Sequence, residues 1–107
     1  MKRREVRYRA EARADLANIY NIILDLSRAP SVAFRFVTRI RERCSRIGDA
    51  PRSGRPRDDL LPGLRMVAFR RSVVILYRVE NDRVEIANIF YGGRDYEALY
   101  RAADTNE

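Results

Sequence analysis

Apolar and basic residues alternate in Val6-Arg7-Tyr8-Arg9, the period-two pattern of a short strand with one buried face. From about Ala10 the period lengthens. Ala12, Leu16, Ile19, Tyr20 and Ile23 recur at spacings of three and four, which predicts a helix running to about Ser27. Pro30 closes that helix and opens the next, because proline is tolerated in a first turn. Ala33, Phe36, Val37, Ile40, Cys44 and Ile47 form the apolar stripe of this second helix, with Gly48 as its stop. Between Asp49 and Gly63 lie three prolines, two glycines and several charges, a loop that is long for a chain of this size. Leu64 to Phe69, Val73 to Val79 and Val84 to Tyr91 are rich in β-branched and aromatic residues and are separated by Arg70-Arg71-Ser72 and Glu80-Asn81-Asp82. They predict an antiparallel meander ending at Gly92-Gly93, followed by a short helix over Tyr96 to Ala103.

The expected architecture is α+β, in the order β-α-α-β-β-β with a short C-terminal helix. It is a four-stranded antiparallel sheet with an N-terminal helical hairpin on one face, forming one domain over residues 1–107. Two helices cover one face of such a sheet, so the other is expected to stay open as a working surface.

Composition narrows the chemistry. The 107 residues contain no histidine and a single cysteine, Cys44, which excludes a Cys/His metal site, a histidine base and a disulfide framework within one chain. No cofactor and no metal are expected, and Cys44, on an apolar stripe, reads as small core filler. The N-terminal basic run leads into Ala, Glu and Asp rather than an apolar stretch, and no apolar run approaches membrane-spanning length. A cytoplasmic protein with no membrane contact is expected. The net charge of +7 implies an acidic partner, whether nucleic acid, an acidic protein or the general pool of polyanions. Of 22 basic residues 21 are arginine, which suits bidentate pairing with carboxylate or phosphate but also follows from a genome rich in G and C.

Four features could carry function. The first helix is more apolar than one packing face requires: between Leu16 and Leu26, Asn18, Asn21 and Asp25 are confined to an arc of about 60°. It is either clasped between sheet and second helix or offers Ile19, Ile22, Leu24 and Leu26 to a partner segment. Arg35, Arg39, Arg43 and Arg46 line the second helix clear of its apolar side, as solvated surface or as a site for an acidic partner. Pro51-Arg52-Ser53-Gly54-Arg55-Pro56-Arg57 resembles a nucleic-acid-binding loop, without stacking aromatics, P-loop spacing or a hydrophobic anchor, so a solvated loop is the plainer expectation. Asp58-Asp59 make a poor acid and base pair in a loop and are expected to be solvated.

Several segments together resemble the RelE/ParE toxin family. They are Ala12-x-x-Asp15-Leu16-x-x-Ile19-Tyr20, Ala50-Pro51-Arg52-Ser53-Gly54-Arg55-Pro56, Leu61-Pro62-Gly63-Leu64-Arg65, Val74-Ile75-Leu76-Tyr77-Arg78-Val79, and Ile86-Ala87-Asn88-Ile89-Phe90-Tyr91-Gly92-Gly93-Arg94-Asp95. The resemblance implies the toxin of a type II toxin-antitoxin system, neutralised by an antitoxin encoded beside it. RelE-like members are ribosome-dependent mRNA endonucleases, whereas ParE-like members are associated with poisoning DNA gyrase and lack the nuclease residues.

Gly92, Arg94 and Tyr100 could match the RelE-like C-terminal pattern, but the two basic residues expected after the loop reduce to Arg65, and the later arginine is replaced by Val74. Transesterification of RNA normally takes several convergent cationic or proton-transferring groups, and Met66, Val67, Val74 and Leu76 occupy that neighbourhood instead. The resemblance therefore implies a ParE-like gyrase inhibitor rather than an enzyme, with no catalytic residue. Arg65, Arg94 and Tyr100 are its candidate target-binding residues, and would be the catalytic set if the chain were a nuclease. Ile19, Ile22, Leu24, Leu26, Arg35, Arg39 and Arg43 are the candidate contacts for a ParD-like antitoxin. Nucleic acid is expected to be met indirectly, through the antitoxin or a gyrase complex. The alternatives are a RelE-like mRNA endonuclease and a non-toxic, DNA-associated regulatory partner of the antitoxin.

Overall fold

The computed structural model describes residues 3–92 together with 97, 98 and 100. Its elements are β1 (Glu5–Tyr8), α1 (Ala10–Ser27), α2 (Pro30–Ile47), β2 (Arg55–Pro56), β3 (Arg65–Phe69), β4 (Val73–Glu80) and β5 (Arg83–Tyr91). Both helices have the bounds that their apolar spacing predicts. Gly48 ends α2 as expected, whereas α1 ends at Arg28, before Pro30 is reached. α1 is closed by Arg28 in the left-handed region (φ 56°), whose N–H donates to the Leu24 carbonyl at 2.7 Å. Gly48 ends α2 with an ordinary φ of −60°, so glycine is not needed there for a left-handed turn. It is needed for space, because a Cβ would strike the Arg4 carbonyl and the Val6 side chain, and Gly48 also accepts the Arg4 N–H at 2.9 Å.

The sheet corrects the expected four antiparallel strands. It has five strands in the order β1-β5-β4-β3-β2 and is mixed: β5-β4-β3-β2 are antiparallel neighbours, while β1 runs parallel to β5. Hairpin turns dictate antiparallel neighbours locally, but β1 reaches β5 after the whole intervening chain, and no turn fixes its direction. The added strand, β2, sits inside the expected loop, and Pro56 is tolerated there because β2 is at the edge of the sheet. Of the expected last helix, Glu97, Ala98 and Tyr100 have helical backbone, and the remainder lies outside the described residues.

Two cores hold these layers together. Ala12, Leu16, Ile19 and Ile23 of α1 and Ala33, Ile40, Cys44 and Ile47 of α2 close over Val67, Val73, Ile75, Tyr77, Val84, Ile86 and Ile89. Covering one such Ile, Leu or Val contributes roughly 1.5–3 kcal/mol. A bulge keeps this face continuous: Leu76 pairs with Asn88 but Tyr77 with Ile86, so Ala87 is an extra residue. Ile86 and Ile89 can thus both face the helices although they are three apart. The opposite face is not open as expected. Leu60 and Leu64 of the long loop fold onto Leu76, Ala87 and Phe90, with Met66, Val74 and Tyr100 packed around them. Side chains alternate across a strand, so the apolar residues between those facing the helices needed a cover of their own.

Candidate functional site

The loop after α2 is pinned rather than solvated, which corrects the expectation that it lacks an anchor. Tyr77, fully buried, sends its hydroxyl into the loop, where it donates to the Pro51 carbonyl at 2.7 Å and accepts the Gly54 N–H at 2.9 Å. Gly54 lies so close to the Tyr77 ring that any side chain there would overlap it. Arg65 completes the clamp from β3 by donating to the carbonyls of Gly54 at 2.7 Å and Arg52 at 3.2 Å. One guanidinium nitrogen of this candidate target-binding residue is therefore committed to holding backbone. Arg52 and Arg55 are exposed on the pinned loop.

The second half of the loop is tied by its acids. Arg57 is buried, 5% exposed, and makes a bidentate pair with Asp59 (2.9 and 2.8 Å) and a further contact to Glu97 at 2.8 Å. Asp58 accepts the Gly63 N–H at 2.8 Å. Both carboxylates are exposed, as expected, and they also fasten the loop. Arg57 was missed as a structural residue because neither charge nor composition marks which of the three arginines in residues 51–57 is buried.

Tyr100 belongs to a different network. Beyond Tyr8 the β5 edge has lost its strand partner, and the Asp15 carboxylate of α1 takes over, accepting the Ile89 N–H at 2.9 Å and the Asn88 side-chain N–H at 3.2 Å. The Tyr100 hydroxyl donates to Asn88 Oδ1 at 2.7 Å. Burial, and then the Asp15 charge, pushes that hydroxyl up to about 12. It stays protonated at neutral pH, with its proton directed at Asn88. Arg65 shares the helix-side face with Val67, two residues on, whereas Tyr100 packs against Leu76 and Phe90 on the opposite face. The fold does not bring these two together, and Arg94 lies outside the described residues.

The helical hairpin exposes apolar surface near its tip. Ile22 is 41% exposed, Leu26 72%, Val32 40% and Phe34 67%. Ile22 and Leu26, expected as antitoxin contacts, are thus accessible. Leu24 is half-buried against the core, and Ile19, at 3% exposure, is inside it and cannot touch a partner directly. Val32 and Phe34 were missed, although both fall off the apolar stripe of α2 and that spacing could have exposed them. Arg35 and Arg39 are exposed and Arg43 is half-buried, and none of the three forms an ion pair among the described residues.

Along the other flank of α2, an open groove of about 930 Å³ separates it from β1. Val6, Tyr8, Tyr20, Phe34 and Val37 supply its apolar lining, and Arg3, Arg4, Arg41, Glu5 and Glu42 its charges. The Arg41 guanidinium lies 5.1 Å from the Tyr8 ring centroid. Cys44, buried as expected, meets the Tyr8 hydroxyl behind this groove, and loss of water pushes its thiol up to about 11. The same burial, with Cys44 beside it, raises the Tyr8 hydroxyl as well. No group of three or more acidic or cysteine side chains that could hold a metal occurs among the described residues, and no helix among them is long and apolar enough to cross a membrane.

This arrangement of hairpin and sheet recurs in solved toxin-antitoxin structures. A chain of the chromosomal ParDE system from P. aeruginosa is 25% identical, with a TM-score of 0.72 over 82% of this chain and 95% of that one. A chain of the RelBE2 toxin-antitoxin complex from Mycobacterium tuberculosis is 23% identical, with a TM-score of 0.64 over 85% and 100%, and shares the fold. No curated protein sequence matches. Residues 6–96 match the family described as the ParE toxin of the type II toxin-antitoxin system, parDE. The chain belongs to that family.

Proposed function

We propose that this chain is a growth-inhibiting toxin that binds and poisons DNA gyrase in the cytoplasm, held inactive in a hetero-oligomer with a ParD-like antitoxin. The observation that carries this reading is the separation of Arg65 and Tyr100, two of the three groups RNA cleavage would need. Arg65 holds the loop on one face of the sheet, while Tyr100 donates to Asn88 on the other. Groups that do not converge on one phosphate cannot together activate a 2′-hydroxyl and stabilise the charge that develops. Arg65 and Tyr100 remain target-side residues, Arg65 through the basic loop it positions, and Arg94 joins them.

The test sets two assays side by side. Purified toxin should inhibit gyrase supercoiling and leave ribosome-bound mRNA intact. Site-specific cleavage in the ribosomal A site that disappears in Arg94→Ala and Tyr100→Phe would overturn the reading in favour of the nuclease.

The antitoxin, in the same reading, lays an amphipathic segment on the helical hairpin. Its apolar residues cover Ile22, Leu26, Val32 and Phe34, and its acids meet Arg35, Arg39 and Arg43. Four exposed large apolar side chains near the turn between two helices, beside an arginine stripe without ion pairs among the described residues, support this assignment.

A further inference from the structure

The two β-hairpins of the meander adopt the same unusual backbone with opposite chemistry. Between β4 and β5, Asn81 and Asp82 both have positive φ (48° and 66°), and Asn and Asp suit that region. Between β3 and β4, Arg70 and Arg71 take the same conformation (53° and 65°). Arginine has no local side-chain bond that favours left-handed backbone, so two in succession are a sequence choice against the turn. No ion pair or hydrogen bond of either side chain among the described residues explains the choice. Both side chains are exposed, and neither forms an ion pair among the described residues. Arg70 lies over the Phe69 ring, 5.4 Å from its centroid, which leaves its guanidinium edge outward. The whole stretch from Leu64 to Val79 carries four arginines and no acidic residue.

We propose that this hairpin tip is a phosphate-binding finger through which the chain touches duplex DNA directly, Arg70 and Arg71 each meeting a backbone phosphate. Guanidinium forks match phosphate oxygens, and a two-stranded ribbon is narrow enough to approach a duplex groove. Phe69 is half-buried beneath Arg70, so the tip offers no free aromatic to stack on an unpaired base. Backbone contact to a duplex follows, in place of the indirect contact expected from sequence. The reading does not depend on gyrase, which is absent from the test.

The experiment measures anisotropy of a labelled duplex of random sequence against the full chain across a salt series. The variant is Arg70→Asn with Arg71→Gly, a pair this turn prefers, so its melting temperature should equal or exceed that of the parent. The slope of log affinity against log salt should fall by about 1.8, from roughly 0.9 per lost phosphate contact. A charge-matched control, Arg7→Gln with Arg83→Gln at the opposite end of the sheet, should change the slope much less. An equal fall in both double variants, or no fall in the first, would overturn the proposal. So would tighter, equally Arg70- and Arg71-dependent binding of single-stranded RNA or of poly-glutamate, which would assign the tip to a different partner.

Discussion

Cys44 sits where water cannot reach, and its thiol is pushed up from an ordinary 9.0 to about 11. At pH 8 about one thiol in a thousand is then ionised, and that one is covered. A disulfide reagent should leave native protein unmodified for hours and react within minutes after denaturation; rapid reaction of the folded chain would contradict the burial. Tyr100 moves the same way, from 10.0 to about 12, and Tyr8 is raised further. All three folded values exceed the unfolded ones, so above pH 9 the folded state binds more protons than the unfolded state. Their contribution is complete below about pH 9 and is lost as pH climbs towards 12. Melting temperatures should fall across that window, and the fall should shrink in Cys44→Ala, which has one such group fewer. Tyr77→Phe probes the loop clamp. It removes one hydroxyl and leaves the Gly54 N–H and the Pro51 carbonyl without their partner. A cost of about 2 kcal/mol is expected, read by denaturant unfolding together with faster amide exchange at Gly54.

Among the elements, Asp15 shows how a helix finishes a sheet. Its carboxylate stands where a longer β1 would have supplied a carbonyl to the Ile89 N–H. Asp15→Ala should cost about 1–3 kcal/mol and speed exchange at Ile89 while leaving α1 helical by circular dichroism; unchanged Ile89 protection would remove Asp15 from this role. The helices themselves were legible because one face of each is buried against a single layer: Ala12, Leu16, Ile19 and Ile23 repeat the helical period without interruption. β3, β4 and β5 were legible for a similar reason, being apolar runs between turns. The direction of β1 was not, since a period-two pattern marks a buried face and says nothing about which strand lies beside it. β2 escaped because two residues carry no period. The burial of Arg57 was illegible for a different reason: it depends in part on a partner brought by the fold, Glu97, forty residues away. Of the candidate site, Ile22, Leu26 and the arginine stripe could be read from helical angles, whereas the commitments of Arg65 and Tyr100 could not, because both are made to groups distant in sequence.

Taken as a whole, the molecule has a helical hairpin whose inner side is core and whose tip is bare. Ile22→Asp and Leu24→Asp separate these two conditions. Leu24 packs on the core, so its aspartate should lower the melting temperature by several degrees. Ile22 is exposed, so its aspartate should fold normally and weaken antitoxin binding by an order of magnitude or more, since a charge buried in an interface without a partner costs several kcal/mol. Titration beside thermal melts reads both, and parent-like antitoxin affinity in a folded Ile22→Asp would move the docking surface elsewhere. The parallel pairing of β1 with β5 has a consequence in time. Glu5 lies against Arg83 and Tyr8 against Ile86, so the strand made first is completed by the strand made last. While the chain is being synthesised, α1 and α2 can pair locally, but β1 lacks its only neighbour in the sheet until translation has passed Tyr91. A chain wired in this way cannot complete its sheet piecemeal on the ribosome. Its sheet closes in one late, cooperative step, after β5 has been made and β1 can be seated beside it.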